Sequence, residues 1–537
     1  MCEGKDLSSF LTNLYRFFIP RDIELRKRRL ELMLWAFVLS LAFYPGWWGV
    51  LAWIGLARPL MIISRLRGRD CFNAGYFFGF FFTLFTIYWV ALVTPPGMIA
   101  AVTIVAFYYA FILLAFSKLY RMRPLLGAVA VPFLWVGLEY FRTLSEFAFP
   151  WSGLGYTQAY FLYILQIVSV ISVHGLSLLI VTVNVLVWQA LRSDVRPERR
   201  LTAVYFSVGI VGALVAYGWV EMPVYPKPGK YEVAVLQGSV PIDIKWELEN
   251  EGYSIKLYDS LAQTVKDSSV KLYIWPESGA PCYMDRPYSC REMTAAAVRR
   301  TAGYHLIGAL GTGMKDGEER YYNSCYEFDP TGRVVGRYDK VKLVPFSEHV
   351  PYESIFPFLK TDVLTKYLTF IRTFNVQWWS DFAVGDSLHL FSLPDATYGV
   401  LICFESTFPS YVRQMVRDGA QFMVGITNDT WFGNSIGIYM HSRIFVTRAV
   451  ENRCWAARAA NSGLSYIVDP YGRIRESVPH DAVTAFVGKL DFLEQYSVFT
   501  KIGDIAGVFS YYVTVSLLCI LLGLWIGQRL SARKHVS

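Results

Sequence analysis

The sequence runs to 537 residues, 54% of them hydrophobic and 17% aromatic, which is too apolar and too long for one soluble domain. A net charge of +8 does not point to nucleic acid, because the lysines and arginines sit in short clusters beside apolar runs, as they do when they face lipid headgroups. Eight cysteines at irregular spacing form no Cys-x-x-Cys pair and no His/Cys cluster, so neither a zinc site nor a disulfide scaffold is indicated.

The first thirty or so residues are polar and basic, with Arg16, Arg21, Arg26, Lys27, Arg28 and Arg29 ahead of the first apolar run. No small-residue cleavage site follows, which predicts an uncleaved signal anchor. Apolar segments recur at about 30–45, 47–64, 72–93, 98–117, 124–143, 160–191 and 202–220; the first is short and the sixth is long enough to span with tilt. The loops holding Arg65, Arg67 and Arg69, then Lys118, Arg121 and Arg123, then residues 192–200 are basic, whereas 94–97 and 147–160 are nearly free of charge. By the positive-inside rule the N-terminus is cytoplasmic, and seven crossings place whatever follows Glu221 outside the membrane.

Beyond that point the composition becomes that of a soluble α/β domain. Short β-type runs at 231–236, 271–274, 306–309, 400–402 and 422–426 alternate with helical patterns. The expected division is a membrane domain at 1–221, a domain of ordinary size at 222–495, and a last crossing with a basic, cytoplasmic tail at 496–537.

Three stretches of the middle domain carry chemistry. An apolar run from Tyr398 stops at Cys403 and turns into Glu405; a second from Val270 ends at Glu277; a third, after a turn, carries Lys340 and Glu348. A lone cysteine after Val-Leu-Ile is ordinarily a small core residue. Here the stretches lie about two β-α units apart and can converge on one sheet edge. A thiol with an ordinary pKa near 8.5 needs a carboxylate to take its proton, and a lysine to stabilise the oxyanion formed when it attacks a carbonyl. Glu348 and Glu405 are expected to position Lys340 or line the pocket. Asn428 and Trp431 follow the next strand and are expected on the same edge, as lining. His441, alone on a mixed helix face, reads as structural.

These residues carry a resemblance. Trp-Pro-Glu277, Tyr-Asp-Lys340 with Leu-Val-Pro-Phe-Ser-Glu348, and Ile-Cys403-Phe-Glu405 are similar to the Glu-Lys-Cys blocks of the nitrilase (carbon-nitrogen hydrolase) superfamily. So are Gln237-Gly238 with Trp246, and the block from Thr427 to Gly433 followed by His441 and Arg448-Ala-Val-Glu451. With the membrane half, the chain resembles the apolipoprotein N-acyltransferase branch. The resemblance implies about eight transmembrane helices and a nitrilase-like α-β-β-α sandwich on the outer face of a bacterial inner membrane. It implies Cys403 as nucleophile towards a phospholipid ester, Glu277 as general base and acid, and Lys340 at the oxyanion. The acceptor is the α-amino group of the S-diacylglyceryl cysteine of an apolipoprotein. No metal or organic cofactor is implied, and the protein is expected to be a monomer.

Two other readings stay open: a membrane-anchored amidase, which has no use for so large an anchor, and a non-catalytic lipid or lipoprotein carrier, against which the intact Glu277, Lys340 and Cys403 speak. Gln237 and Trp246 either pack ordinarily or sit near an acyl chain. Phe374, Trp378 and Trp379 belong to an aromatic insertion at 352–381 that reads as an apolar lid dipping into the membrane. Lys342, Ser347 and Phe404 depart from the residues common in the family. Cys282 and Cys290 could close a short loop on the oxidising side, but the resemblance does not require it, and they are expected to remain unpaired.

Overall fold

The computed structural model describes residues 17–18, 20, 22–225, 227–245, 252–286, 289–315, 317–353, 355 and 382–534. Seven helical stretches among them are long and apolar enough to cross a membrane, six before residue 222 and one at the C-terminal end. The expected first run at 30–45 falls in the helix Ile23–Leu41. Its first turns carry Arg26, Lys27, Arg28 and Arg29, so by composition it is not among the seven.

Two expected spans are broken, each for a visible reason. The second is a 3-10 segment, Trp47–Trp53, followed by the helix Ala57–Ser64. The break leaves the Leu56 N–H without a backbone acceptor and the Ala57 N–H with only the Ile54 carbonyl, at 3.1 Å, and an unmet N–H inside a membrane costs several kcal/mol. Asn184 Oδ1 accepts both, at 2.7 and 3.1 Å. The sixth divides into Leu162–Leu165 and Val168–Leu191, and the latter kinks at Ser172 (φ 67°, ψ 172°). There the Val173 N–H donates to Glu451 of the middle domain at 2.9 Å, and the Ser172 hydroxyl to Asp504 at 2.5 Å. A polar residue from outside the span thus replaces the helical acceptor in each case.

The helices pack closely where glycine permits. A Cβ on Gly79 would lie 2.6 Å from Tyr109, and one on Gly137 would lie 2.2 Å from Thr514, so larger residues would part these helix pairs. Pro197–Glu221 and Ile505–Lys534 keep much of their apolar surface outward, including Phe206, Val208, Trp219, Phe509 and Tyr512, as suits helices facing lipid.

The middle domain is built on two sheets. The first contains β1 (Tyr231–Gln237), β2 (Leu272–Ile274), β3 (Ala280–Tyr283), β4 (Tyr304–Lys315), β5 (Glu318–Phe328), β6 (Val334–Asp339) and, last in the chain, β13 (Thr484–Leu490). Its order is β13-β1-β2-β4-β5-β6, with β3 paired to β4. The second runs β12-β11-β10-β9-β8-β7, from β7 (Leu390–Leu393), β8 (Ala396–Ile402), β9 (Phe422–Thr427), β10 (Ala456–Ala460), β11 (Ser465–Val468) and β12 (Ile474–Val478).

Alternation along β1 shows how the layers form. Val233 and Val235 face Val400, Ile402 and Val424 of the other sheet, while Ala234 and Leu236 face Ile255 and Tyr258 of the helix Tyr253–Thr264. Val412 and Met415 of Pro409–Arg417 and Phe445 of Ile436–Asn452 cover the second sheet. The expected α-β-β-α sandwich is therefore the fold. Cys282 and Cys290, expected to be unpaired, form a disulfide. The helix Ser289–Val298 packs beside β3, and the two Cα atoms lie 6.5 Å apart, within bridging range.

Candidate active site

Three strand ends converge at one edge. Glu277 follows β2 after Trp275-Pro276, and its backbone passes so close to β4 that a Cβ on Gly308 would lie 2.4 Å from the Pro276 carbonyl. Lys340 is the first residue after β6, with its N–H on the Asn323 carbonyl of β5 at 2.9 Å. Cys403 is the first after β8, in left-handed backbone at φ 52°, where the strand tightens into the 3-10 turn Cys403–Thr407. A β-branched residue would resist that conformation. The strand β9 lies parallel beside β8, with Ile402 opposite Ile426, so Thr427 and Asn428 emerge at the same edge.

The charges there form one network. Lys340 is 1% exposed; its Nζ lies 2.8 Å from Glu348 Oε1 and 3.6 Å from Glu277 Oε1. The Asn323 amide donates to both carboxylates, at 2.7 Å to Glu277 and 3.1 Å to Glu348. The Asn428 N–H donates to the second Glu277 oxygen at 2.9 Å, and the Val344 N–H to the second Glu348 oxygen at 2.8 Å. Burial opposes the charge on Lys340, but Glu348 and Glu277 outweigh it and hold the ammonium's pKa above that of an ordinary lysine. For Cys403, burial and then Glu277 push the thiol well up, with Lys340 acting against them.

The shift favours the thiol form of Cys403 over the thiolate. Alkylation of Cys403 by iodoacetamide in the absence of lipid is accordingly expected to keep accelerating as pH rises past about 8.5, where an ordinary cysteine already forms its thiolate. A rate plateau below neutral pH would mean a preformed thiolate and would contradict this.

Glu405 does not line the cavity described below. Fully buried, it accepts from Tyr338 Oη at 2.7 Å and from the Val341 and Lys342 N–H groups at 2.7 and 3.2 Å with one oxygen, and from the Ile402 N–H at 2.8 Å with the other. It ties the lysine loop to the end of the cysteine strand, and burial pushes its carboxyl up to about 7.

Gln237 is also removed from the cavity. Its amide donates to the Pro479 and Ala482 carbonyls and accepts from Ser465, so ordinary packing is its role. His441 bridges Asp429 Oδ1 at 2.8 Å and the Cys403 carbonyl at 3.1 Å, supporting the turn from behind. Asn428 and Trp431 do line the cavity. Trp246 and the expected lid residues Phe374, Trp378 and Trp379 lie outside the described residues.

Two residues of the site escape sequence reasoning. Asn323, on β5, links both carboxylates; a strand position between Tyr322 and Ser324 gives no sign of it. Lys245, at the end of the helix Ile242–Lys245, is 2% exposed and donates to the Glu277 carbonyl at 3.2 Å. Burial brings its ammonium down to about 7, with Glu277 acting against. A lysine is ordinarily read as exposed, and nothing local marks this one.

These groups open onto a cavity of about 870 Å³, the size of a site for a large organic ligand. The sandwich supplies Glu277, Lys340, Glu348 and Cys403, while Trp89, Val93, Ala101, Ile104, Phe149 and Trp151 of the membrane half supply an apolar wall. The halves are fastened beside the site, where Lys342 Nζ donates to the Ser145 carbonyl at 2.6 Å and Trp89 meets Phe432 at 4.6 Å between ring centroids.

Residues 232–492 match the carbon-nitrogen hydrolase family model, and residues 35–186 match that of the apolipoprotein N-acyltransferase N-terminal domain. The chain is similar to an apolipoprotein N-acyltransferase of Geobacter metallireducens, 32% identical over 91% of this chain and 95% of the relative. It is also similar to those of Chlorobaculum tepidum, 29% identical over 81% and 86%, and Rickettsia prowazekii, 28% identical over 84% and 89%. A carbon-nitrogen hydrolase domain alone would leave many chemistries open, but both halves match in one order and nearly from end to end, and this chain belongs to the apolipoprotein N-acyltransferase family.

Proposed function

We propose that the protein transfers an acyl chain from a phospholipid, through a thioester on Cys403, to the α-amino group of the S-diacylglyceryl cysteine that begins an apolipoprotein. The observation that carries this reading is the cavity: a Glu-Lys-Cys cluster on one side and membrane helices on the other, so that a lipid ester can reach the thiol without leaving an apolar environment.

In the first half-reaction Cys403 Sγ attacks the ester carbonyl carbon while Glu277 takes the thiol proton. The C–S bond forms, and the carbonyl oxygen becomes an oxyanion facing the Lys340 ammonium. As that intermediate collapses, the ester C–O bond breaks and Glu277 returns the proton to the departing lysophospholipid oxygen. In the second half the acceptor amine attacks the thioester carbonyl, Glu277 takes the proton from nitrogen, and the cysteine sulfur leaves and is reprotonated. Glu348 and Asn323 keep the lysine and the base in register throughout. Apolar walls keep water from the thioester, which favours transfer over hydrolysis.

Incubation with phospholipid and a diacylglyceryl-cysteine peptide is expected to add one acyl mass to the peptide. The same peptide with an acetylated N-terminus is expected to gain none; acylation of the blocked peptide would remove the α-amine from the account.

The orientation rests on the basic loops and on domain limits at about 221 and 495. With the helix Ile23–Leu41 counted as a crossing beside the six spans before residue 222, the sandwich lies outside the inner membrane and both termini lie in the cytoplasm. A reporter fused after Lys230 is expected to behave as periplasmic and one after Arg533 as cytoplasmic, and the reverse pattern would overturn the topology.

A further inference from the structure

The cavity carries more positive charge than its chemistry uses. Four cations line it: Arg142, Lys245, Arg286 and Lys340, against the carboxylates of Glu277 and Glu348. Lys340 is committed to both carboxylates, and Arg286 pairs with Glu319 at 2.8 Å. Arg142 and Lys245 are different. Both are over nine-tenths buried, at 4% and 2% exposure, and among the described residues neither meets a carboxylate at ion-pair distance.

Arg142 caps the helix Pro124–Phe141 in the membrane half. Ser152 and the Phe149 carbonyl take two of its five N–H groups, at 2.8 and 2.7 Å, and its buried Nε–H has no partner. Glu139, one turn earlier, lines a small void with it; one Glu139 oxygen accepts from Trp135 and Leu154 and the other is buried without a partner, so the carboxylate lies nearby but takes none of the guanidinium's hydrogen bonds. Lys245 comes from the sandwich and has one acceptor, the Glu277 carbonyl. A buried cation with unused donors beside a ligand cavity is costly unless the ligand brings the missing charge and acceptors.

We propose that Arg142 and Lys245, one from each half of the chain, receive the phosphodiester of the acyl donor while its ester carbonyl lies on Cys403. This rests on the phospholipid reading above and adds to it how the donor is told from other esters. A phosphodiester is a monoanion whose oxygens accept several hydrogen bonds, and guanidinium and ammonium groups are its usual partners. In a phospholipid it stands a few bonds from the ester, and Lys245, on the backbone of Glu277, stands as near to the reacting group. The apolar remainder of the cavity takes the chain, so the site selects an amphiphile with an anionic centre close to its ester.

The test compares two donors on the full-length protein in detergent: dioctanoyl phosphatidylethanolamine, and dioctanoylglycerol, which has the same esters and no phosphate. The rate of acyl addition to Cys403 is read by mass. The unaltered protein is expected to react at least about tenfold faster with the phospholipid, as one charge-assisted contact of about 1.4 kcal/mol provides. Arg142→Gln and Lys245→Gln are each expected to lose most of that preference, by slowing the phospholipid about tenfold and the diacylglycerol far less. Arg142→Lys and Lys245→Arg, which keep the charge, are expected to retain part of it, and iodoacetamide labelling of Cys403 reports that each variant is folded.

Equal slowing of both donors in the glutamine variants would make these residues structural and overturn the proposal, as would an unaltered protein indifferent to the phosphate. Stimulation of the diacylglycerol reaction by millimolar inorganic phosphate would instead assign the site to a free anion. If the unaltered protein forms no adduct from either donor, the Cys403 reading itself fails.

Discussion

Replacing Cys403 by alanine is expected to abolish acyl addition altogether and to leave the protein folded. Among the described residues the other free cysteines are remote from this chemistry: Cys71, Cys325 and Cys454 are buried and Cys519 is on the C-terminal helix. Cys282 and Cys290 also line the cavity but are joined in a disulfide, so among the described residues no other free thiol there can form a thioester. Alanine keeps the Cβ that the left-handed backbone at φ 52° already tolerates, so the stability change should stay within about 1 kcal/mol, as for a small substitution at a half-buried site.

Serine is expected to be nearly as inactive, by about a thousandfold or more. Its alcohol is far less acidic than a thiol, and Glu277 is too weak a base to activate it. Whole-protein mass after incubation with phospholipid checks both. An alanine variant that still accumulates acyl groups in a hydroxylamine-sensitive bond would show that another residue carries the chain.

Lys340→Ala is the second large effect, and it has two parts. Loss of one oxyanion donor costs about a hundredfold to a thousandfold in rate. Beyond that, Glu277 and Glu348 share the Asn323 amide and lean on the same ammonium. Without it, two carboxylates in one buried site repel, and one of them takes up a proton, which disables Glu277 as a base for part of the population. The combined loss should exceed the effect of the oxyanion donor alone.

Stability should fall as well, by about 3–5 kcal/mol, the usual result of removing one partner from a buried ion pair. Because the folded pKa of Lys340 is raised, its contribution is fully present below the unfolded lysine value of about 10.4 and is lost only as pH rises through the folded value. The destabilisation should therefore persist unchanged across neutral pH. Adduct rate and thermal midpoint measure the two parts; a variant that loses neither rate nor stability would contradict both. Arginine is not expected to restore the rate, since a planar fork cannot replace a compact ammonium between two carboxylates.

How much of this is legible in the sequence follows from what each residue is attached to. Glu277 and Cys403 each follow an apolar run and Lys340 follows a mixed run after a turn; all three come at strand ends, which is where a sheet presents side chains, and their spacing allows them to meet at one edge. The near-continuous burial of β1 likewise follows from its unbroken apolar run Val233–Leu236. What escapes is non-local. Asn184 closing the break before Ala57 and Glu451 accepting from Val173 lie 127 and 278 residues from their partners, and nothing near 47–64 or 160–191 announces a broken span.

Lys245 and Asn323 are missed for a related reason. Each looks like a surface residue until the strand or helix beside it is placed, and its hydrogen bonds reach residues far away in sequence. Gln237 errs in the opposite direction: it belongs to a block shared with the family, yet its hydrogen bonds hold the turn at 479–482 rather than a substrate. The disulfide between Cys282 and Cys290 depends on the helix Ser289–Val298 packing beside β3, which the sequence between them does not reveal.

The most direct test of the account uses the purified protein and phospholipid with no acceptor present. A thioester on a single cysteine separates the two half-reactions, so the protein's mass should rise by one acyl chain, one equivalent of lysophospholipid should appear, and neutral hydroxylamine should remove the adduct. Adding a diacylglyceryl-cysteine peptide should then discharge it. Release of lysophospholipid only when the peptide is present, with no adduct at any time, would contradict the thioester and with it the role given to Cys403.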